Sequence, residues 1–348
     1  MMSPKKQVNI WQVAHTAGVS AQTVSRVVNE RPDVAPETRR RVLEVIDQLG
    51  YQPNALARSL IRQRSHTLGV VVARLDHYGP SRTLIGIEQE IRTIGYSLLL
   101  DLLPRPEVED VAQILNRLLS RQVEGIIWAV PEIGSNRNWL EQKTPQMPVP
   151  VIYLSMQPRP GLPVISIDNR GGGRLATEHL LSQGFQQVGI ITGCMDWWEA
   201  RERLLGWQDA LVTASRAIEA RQIVEGDWTA ASGAQSLGCL LERFPEMDAV
   251  FVCNDQMALG ALQAAPRFGR QVPNQLAIIG FDDTPEAAYF CPPLTTIRQQ
   301  LGEMGALAVR EIIKMIEANR QNIAEILPGP ILLKPELVIR ESAVGKLY

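Results

Sequence analysis

Cysteine and histidine are scarce in this chain, and their positions argue against a metal site and against a disulfide framework. The 348 residues include four cysteines and four histidines. The cysteines are far apart and form no CxxC pair, which is typical of buried thiols in a reducing cytosol; they are Cys194, Cys239, Cys253 and Cys291. The histidines show no metal-ligand spacing. We therefore expect neither a metal ion nor a cofactor.

Long apolar runs and common enzyme motifs are also missing. No uninterrupted apolar stretch approaches the length of a membrane span, and residues 1–7 are polar and basic with no apolar segment after them. These features predict a cytoplasmic protein with no secretory signal and no membrane partner. The sequence has no GxSxG, P-loop or HExxH motif, and the glycine-rich residues 170–174 lack the Lys-Ser/Thr end of a phosphate loop. An enzyme, such as a sugar-modifying hydrolase or kinase, is therefore the weaker alternative.

Charge is distributed unevenly along the chain, although the net formal charge is only −2. Residues 1–66 hold ten Lys and Arg against five Asp and Glu, a charge of +5, which leaves −7 on the remainder. A small basic unit on a mildly acidic body indicates that only the head meets a polyanion. An ordinary solvated basic face is the alternative.

Residues 8–29, VNIWQVAHTAGVSAQTVSRVVN, predict two short helices broken by a tight turn. Asn9 can cap the first helix, with Gln12 as its capping-box partner. Gly18 supplies the turn, where a residue without Cβ takes positive φ, and Ser20 caps the second helix. This pattern fits helix-turn-helix geometry better than an αα-hairpin in a core.

The second helix of this pair presents small and polar side chains on its outward face. Such side chains fit a major groove: Gln22 can pair with adenine and Arg26 with guanine, while Ser20 and Thr23 can reach phosphate. The predicted DNA contacts in this helix are Ser20, Ala21, Gln22, Thr23, Ser25, Arg26 and Asn29.

A third helix and a short linker complete the predicted head. Pro36 suits a first helical turn, an apolar stripe follows, and Gly50 ends the helix. In the next segment, YQPNALARSLIRQRS, Pro53 breaks the preceding structure and Asn54 can cap a new helix. A helix this short is marginal in water, so we expect it to fold only when held against something, such as DNA.

From residue 67 onward the pattern changes to strands alternating with helices, which predicts α/β folding with buried parallel sheets. The apolar strand-like runs lie at 67–73, 97–103, 125–130, 150–154, 164–167, 188–193, 248–253 and 276–280. The amphipathic helical stretches lie at 85–94, 107–119, 172–181, 200–212, 230–241, 256–265 and 301–316. So many strands are better divided into two doubly wound sheets than placed in one.

Ligands in such folds bind beyond the carboxyl ends of strands, so the loops that follow strands are candidate site segments. They are 74–83, 128–135, 194–203, 253–256 and 281–285. Arg203, Asn254 and Asp282 can make paired hydrogen bonds to vicinal hydroxyls, and aromatic rings can cover the apolar faces of a sugar. The candidate effector-binding residues are Pro80, Trp128, Trp197, Arg203, Trp228, Asn254 and Asp282. The alternative for each tryptophan is core filling, and for Asp255 we prefer helix N-capping over ligand contact.

The chain resembles the LacI/GalR (lactose-repressor-type) family of transcriptional regulators over nearly its whole length. Residues 8–29 resemble the helix-turn-helix of the family, and YQPNALARSL resembles its hinge helix. The segments that resemble its regulatory core are GFQQVGIITG, ARERLLGW, EGDW, CNDQMALGAL, IIGFDDT and PPLTTIRQ. The resemblance implies a small all-α headpiece with a hinge helix, followed by a periplasmic-binding-protein-like core of two subdomains.

The resemblance also implies partners. A member of this family is a homodimer that binds a pseudo-palindromic operator, in the nucleoid, and holds a small effector, here expected to be a sugar, between the subdomains. The positions matching Ala21, Gln22 and Arg26 read bases, and the leucine matching Leu60 wedges into the minor groove; Asn54 and Ala57 are further predicted hinge contacts. The positions matching Arg203, Asn254 and Asp282 bind effector hydroxyls, and Trp228 matches an aromatic lining residue.

The predicted domains follow the same pattern. We expect a headpiece at 1–65 with a hinge helix at about 54–63, and a core at 66–345. The first core subdomain is expected at about 67–165 and 295–323, the second at about 166–294 and 324–341.

Three positions depart from the family pattern. Ser155 stands where the lactose repressor, which names the family, has a sugar-binding aspartate, and Leu301 replaces an aromatic residue, so galactoside specificity is not expected. Ala21 replaces a larger base-reading residue. No leucine heptad follows VIRESAVGKLY, so we expect a dimer without a tetramer-forming tail. The alternatives to a sugar-controlled repressor are a regulator with a purine effector and a sugar-binding receptor without DNA function.

Overall fold

The computed structural model describes residues 8–29, 31–51, 64–103, 111–133, 147–321, 323 and 329–345. The chain divides into two compact units, residues 1–66 and residues 67–348, which we call the head and the core and describe separately.

The head contains three helices: α1 (Ile10–Ala17), α2 (Ala21–Val28) and α3 (Pro36–Leu49). The predicted capping box is present, because Asn9 Oδ1 accepts from the Gln12 amide at 3.1 Å and Gln12 Oε1 accepts from the Asn9 amide at 2.9 Å. Gly18 follows α1 with φ 64°, and Ser20 Oγ accepts from the Thr23 amide. The turn chemistry predicted from the sequence is therefore confirmed.

Apolar side chains from all three helices form the small core of the head. Its buried members are Val13, Ala14, Ala17, Val24, Val27, Val42 and Val45. The predicted hinge helix, with Asn54, Ala57 and Leu60, lies outside the described residues and stays a prediction.

The first lobe of the core is a parallel sheet with helices on both faces, in the strand order β11-β5-β4-β3-β1-β2. Its strands are β1 (Thr67–Ala73), β2 (Ser97–Leu103), β3 (Gly125–Ala129), β4 (Val151–Leu154), β5 (Val164–Ile167) and β11 (Ile331–Leu333). One face packs on α4 (Tyr78–Thr93) and α10 (Leu301–Arg320), and the other on α5 (Val111–Ser120). Burial of both faces explains why the central strands β1, β3, β4 and β5 are continuous apolar runs.

The second lobe repeats this architecture in the strand order β12-β10-β9-β8-β6-β7. Its strands are β6 (Val188–Thr192), β7 (Ile223–Glu225), β8 (Ala249–Val252), β9 (Ala277–Asp282), β10 (Thr295–Arg298) and β12 (Glu336–Val338). Its helices are α6 (Asn169–Ser182), α7 (Trp198–Thr213), α8 (Ala230–Arg243) and α9 (Asp255–Ala264). The pairing is parallel except for β12, which runs antiparallel to β10. The predicted fold class of two doubly wound sheets is confirmed.

The predicted boundaries between the two lobes are wrong at two places. Strand β10 pairs with β9 in the second sheet, although residues 295–298 were expected in the first subdomain. Strand β11 pairs with β5 in the first sheet, although residues 331–333 were expected in the second. The described elements thus cross between the lobes three times: after β5, between β10 and α10, and between β11 and β12. We call these three segments the crossing segments.

Within the described ranges, no helix is long and apolar enough to cross a membrane. The same part of the chain has no group of three or more His, Cys, Asp and Glu side chains arranged to hold a metal ion.

Candidate functional site

Side chains from both lobes line one cleft at the carboxyl ends of the parallel strands, where ligands bind in such sheets. The cleft has a volume of about 810 Å³, counted with the space open to solvent at its mouth. Six of the seven predicted residues line it: Pro80, Trp197, Arg203, Trp228, Asn254 and Asp282.

Trp128 does not line the cleft, and its prediction as an effector-binding residue is wrong. Its side chain is fully buried in the cluster between the first sheet and α5. Successive residues of a strand point to opposite faces of the sheet. It is the next residue, Ala129, that contributes to the cleft wall.

Pro80 reaches the cleft from a helix and not from the predicted loop 74–83. Helix α4 begins at Tyr78, so Pro80 lies in its first turn. Proline is tolerated there because the first turn has no intrahelical acceptor for its missing N–H.

Arg203 is the most firmly fixed side chain of the cleft. Its Nε donates to Asn169 Oδ1 at 2.8 Å, and its Nη1 donates to the Cys253 carbonyl oxygen at 2.5 Å. The guanidinium carbon lies 3.8 Å from the centre of the Phe281 ring. Burial lowers the pKa of Arg203, while the carboxyl of Asp282 partly offsets this effect. The protein therefore presents a guanidinium of fixed orientation to the cleft.

Asp282, the last residue of β9, is buried and held in an unusual backbone conformation. Its φ is 133°, a region that favours glycine, and its Oδ1 accepts from Gln299 Nε2 at 2.5 Å. Burial raises the pKa of Asp282 to about 8, against the opposing effect of Arg203. Trp228 and Ser155 of the same cleft also have positive φ, at 76° and 54°. Residues held in such conformations cluster at functional sites.

The buried carboxyl of Asp282 leads to a pH prediction. Its folded-state pKa, about 8, is raised above the ordinary value of 3.8. Its contribution to stability is therefore fully present below about 3.8 and is lost as the pH rises through about 8. We expect Asp282→Asn to flatten the fall in melting temperature over this window. Thermal unfolding at several pH values measures it, with Glu242→Gln on the exposed face of α8 as control; equal slopes in all three proteins would contradict the assignment.

Asn254, and not Asp255, is the N-cap of α9. Asn254 Oδ1 accepts from the Met257 amide at 2.9 Å, and its Nδ2 donates to the Trp228 carbonyl oxygen at 3.0 Å. The Asp255 carboxylate instead accepts from the Thr284 amide at 2.8 Å and from Thr296 Oγ1 at 2.6 Å. The expectation that Asp255 caps the helix is wrong, although its role is structural, as expected.

Three rings form the aromatic wall of the cleft. Trp228 and Trp197 meet edge to face with centroids 5.8 Å apart, and His77 of the first lobe lies 5.9 Å from Trp197. The Trp228 ring lies on the backbone of Gly193, where an added Cβ would be 2.0 Å from it. The absence of a side chain at Gly193 therefore fixes the position of the indole.

Glu199 and Gln299 are among the cleft residues that were not recognised from the sequence as site residues. Glu199 lies in the first turn of α7, and its Oε2 is buried with no hydrogen-bond partner among the described residues. Burial raises its pKa to about 7. Gln299 lies on the second crossing segment, between β10 and α10. The loop after β6 was a candidate segment, but a glutamate in a first helical turn is also an ordinary helix-start residue.

On the head, Gln22 and Arg26 lie one helical turn apart and are both exposed. Ser20 is exposed, whereas Ala21, Thr23, Ser25 and Asn29 are half-buried. Asn29 Nδ2 donates to the Ser25 carbonyl oxygen at 2.8 Å at the end of α2. The polar face predicted from the sequence is therefore present, with Gln22 and Arg26 the most accessible of its long side chains.

Comparison with known proteins relates both units to one family. The model for "Bacterial regulatory proteins, lacI family" matches residues 9–54, and the model for "Periplasmic binding protein-like domain" matches residues 177–343. The lactose operon repressor of Escherichia coli K12 is 32% identical over 323 residues, which cover 93% of this chain and 89% of the repressor. The PurR repressor of Haemophilus influenzae PittEE is 32% identical over 333 residues, covering 96% and 98%.

Solved structures agree with the sequence relatives. A lac repressor dimer bound to operator and the anti-inducer ONPF superimposes with a TM-score of 0.87 at 32% identity, covering 98% of this chain and all of the repressor chain. A complex of the regulator CelR with cellobiose gives a TM-score of 0.69 at 29% identity, covering 97% of this chain and 100% of the other. The chain belongs to the lacI family of bacterial regulatory proteins and combines a DNA-binding head with a ligand-binding core.

Proposed function

We propose that this protein is a transcriptional repressor that binds a pseudo-palindromic operator as a homodimer, and that a sugar bound in the cleft controls its affinity for the operator. The observation that carries the sugar assignment is the convergence of Arg203, Asp282 and Asn254 beside the indole of Trp228. A guanidinium, a carboxyl and an amide together satisfy several hydroxyls, while an indole covers an apolar sugar face.

The arrangement of the aromatic wall favours a sugar over a purine. A flat base is held best between parallel rings, whereas Trp197 and Trp228 are inclined by 66° and form a corner. A corner suits a puckered ring with polar groups around its edge. The relatives include proteins named for lactose and the PurR repressor, so purines belong in any test.

The crossing segments supply a route from the cleft to the rest of the core. Asn169 follows the first crossing and accepts a hydrogen bond from Arg203, while Gln299 lies on the second and donates to Asp282. An effector that draws Arg203 and Asp282 together therefore acts directly on segments that join the lobes. Ligand binding then favours one arrangement of the lobes over another, which is a population shift.

The decisive experiment is a thermal-shift screen of mono- and disaccharides and of purine bases, followed by operator binding with each hit. A ligand at a hundred times its Kd stabilises the folded state by about 2.7 kcal/mol. We expect a neutral sugar to raise the melting temperature and to change operator affinity. A purine that binds in preference to every sugar would overturn the ligand class.

DNA reading by Arg26 is tested separately. We expect Arg26→Ala to weaken operator binding by about 1–3 kcal/mol and to relax the preference at one base per half-site. Its ion pair with Asp33, at 3.6 Å on the surface, adds little to folding, so the head should stay intact. Binding to a library of half-site variants measures the preference.

Arg41→Ala is the matched control for Arg26, because it removes the same charge from an exposed position on α3. The Arg41→Ala variant should bind all half-site sequences more weakly by the same factor, or bind them all as tightly as the wild type. Arg39 is unsuitable, since it donates to the carbonyl oxygens of Arg31 and Val27 and so supports the head. If Arg26→Ala keeps the base preference of the wild type, Arg26 does not read a base of the operator.

A further inference from the structure

The Oε2 atom of Glu199 is a buried acceptor in the cleft with no hydrogen-bond partner among the described residues. The indole N–H of Trp228 has no such partner either. Both residues line the cleft. Arg203, Asn254 and Asp282, by contrast, each hold at least one protein partner. A buried polar group without a hydrogen-bond partner destabilises the folded protein. A ligand that donates to Glu199 Oε2 and accepts from the Trp228 indole N–H would supply the missing partners.

Above about pH 8, where both lining carboxyls are ionised, the charges around the cleft disfavour an anion. The charged lining side chains in the described part of the chain are then Glu199, Asp282 and Arg203, two carboxylates against one guanidinium. The guanidinium already donates to Asn169 and Cys253 and faces Phe281. His77 is also neutral at this pH, because burial lowers its pKa below the ordinary value of 6.5.

The position of Glu199 strengthens this effect. It lies in the first turn of α7, and the free amides of a helix N-terminus are where a phosphate would otherwise bind. The backbone N–H of Glu199 acts on its own carboxyl and lowers the pKa, so a carboxyl already lies near part of that position. A second anion brought there would meet like charge as well as competition for the amides.

We propose that Glu199 determines effector specificity: its Oε2 accepts a hydrogen bond from a hydroxyl of the effector, and in its ionised form the carboxylate excludes phosphorylated and acidic sugars. The inference rests on the proposed sugar effector and names its class, an uncharged sugar. The indole N–H of Trp228 donates to an oxygen of the same ligand.

Three matched pairs of probes test this: glucose, lactose and cellobiose, each against its 6-phosphate. Calorimetric titration of the full-length wild type at a pH above about 8, where Glu199 and Asp282 are ionised, should show binding of at least one neutral sugar and at least tenfold weaker binding of its phosphate. Glu199→Ala should weaken binding of the neutral sugar by about ten- to a hundredfold. Glu199→Gln keeps the shape of the side chain and a hydrogen-bond acceptor, so it should lose less affinity for the neutral sugar than Glu199→Ala. It should also reduce the difference in affinity between the neutral sugar and its phosphate.

Glu202→Gln is the control, because it removes a carboxyl three residues further along α7 and outside the cleft lining. Unchanged operator binding and a single cooperative unfolding transition in the absence of sugar show that each variant is folded. Equal sugar affinity in wild type and both Glu199 variants would overturn the assignment of Glu199 and leave the sugar effector standing. If a sugar 6-phosphate binds the wild type as tightly as its parent sugar, Glu199 does not exclude phosphorylated sugars. If no probe binds, the sugar effector itself fails, and the inference fails with it.

Discussion

Asp282→Ala is expected to abolish the control of operator binding by the effector while leaving operator affinity itself unchanged. The Asp282 carboxyl lies in the cleft, accepts from Gln299 and partly offsets the burial of Arg203. Its removal leaves effector hydroxyls without an acceptor, at a cost of about 1–3 kcal/mol, which is roughly a 5- to 150-fold loss of affinity. Operator affinity should persist because the DNA-binding helices belong to the head, a separate compact unit.

Fluorescence anisotropy of labelled operator, with and without the sugar that binds the wild type, measures both properties at once. Asp282→Asn separates loss of charge from loss of the hydrogen-bonding group. Glu242→Ala, on the exposed face of α8, controls for the change in net charge. If Asp282→Ala titrates with the sugar like the wild type, the effector does not bind in this cleft.

Gly260→Ala is expected to destabilise the core strongly, although it adds one methyl group. Helices α8 and α9 approach so closely that a Cβ at Gly260 would lie 1.8 Å from the carbonyl oxygen of Ala230. The clash is with backbone, so no side-chain rotation relieves it, and the helices must separate. We expect a loss toward the upper end of the range for overpacking, about 1–3 kcal/mol.

Gly302→Ala provides a control of opposite sign. It is also a helical glycine, in the first turn of α10, but a Cβ there would meet nothing within 4 Å. Since alanine is the better helix former, this variant should be neutral or slightly more stable than wild type. Urea unfolding of the three proteins measures both effects, and similar stabilities for the two variants would refute the close-packing argument.

The sequence predicts the long buried elements well and the short ones poorly. Strands β1, β2 and β5 begin and end at the predicted residues. Strands β1 and β5 are buried on both faces, which requires continuous apolar runs, whereas β2 is an edge strand that carries such a run although it is largely exposed. Strands β7, β11 and β12 were missed, since three half-exposed or exposed residues show no pattern, and β10 was missed because two of its three buried residues are threonines. Helix α4 was predicted to begin at Ile85, because Gly79 and Pro80 indicate a turn, although a first helical turn tolerates both.

The candidate site shows the same division. Polar residues at strand ends could be predicted to converge, since the ends of parallel strands meet at one edge of the sheet. The parity of β3 could not be read from GIIWAV, because every residue in that run is apolar; this is why Trp128 was misplaced and Ala129 was not considered. Glu199 was missed for a different reason: only the structure shows that its Oε2 atom is buried and lacks a hydrogen-bond partner among the described residues.

The three crossing segments also constrain how the protein is made. Both sheets receive strands from the region after Thr295, and α10 supplies Met304, Val309 and Ile312 to the interior of the first lobe. During synthesis the head emerges first, but neither lobe can close until this last region has left the ribosome. A chain that is interrupted earlier exposes apolar surface in both lobes, and such surface attracts chaperones and proteases. A chain interrupted before Thr295 would therefore carry the head on a core in which neither sheet is complete.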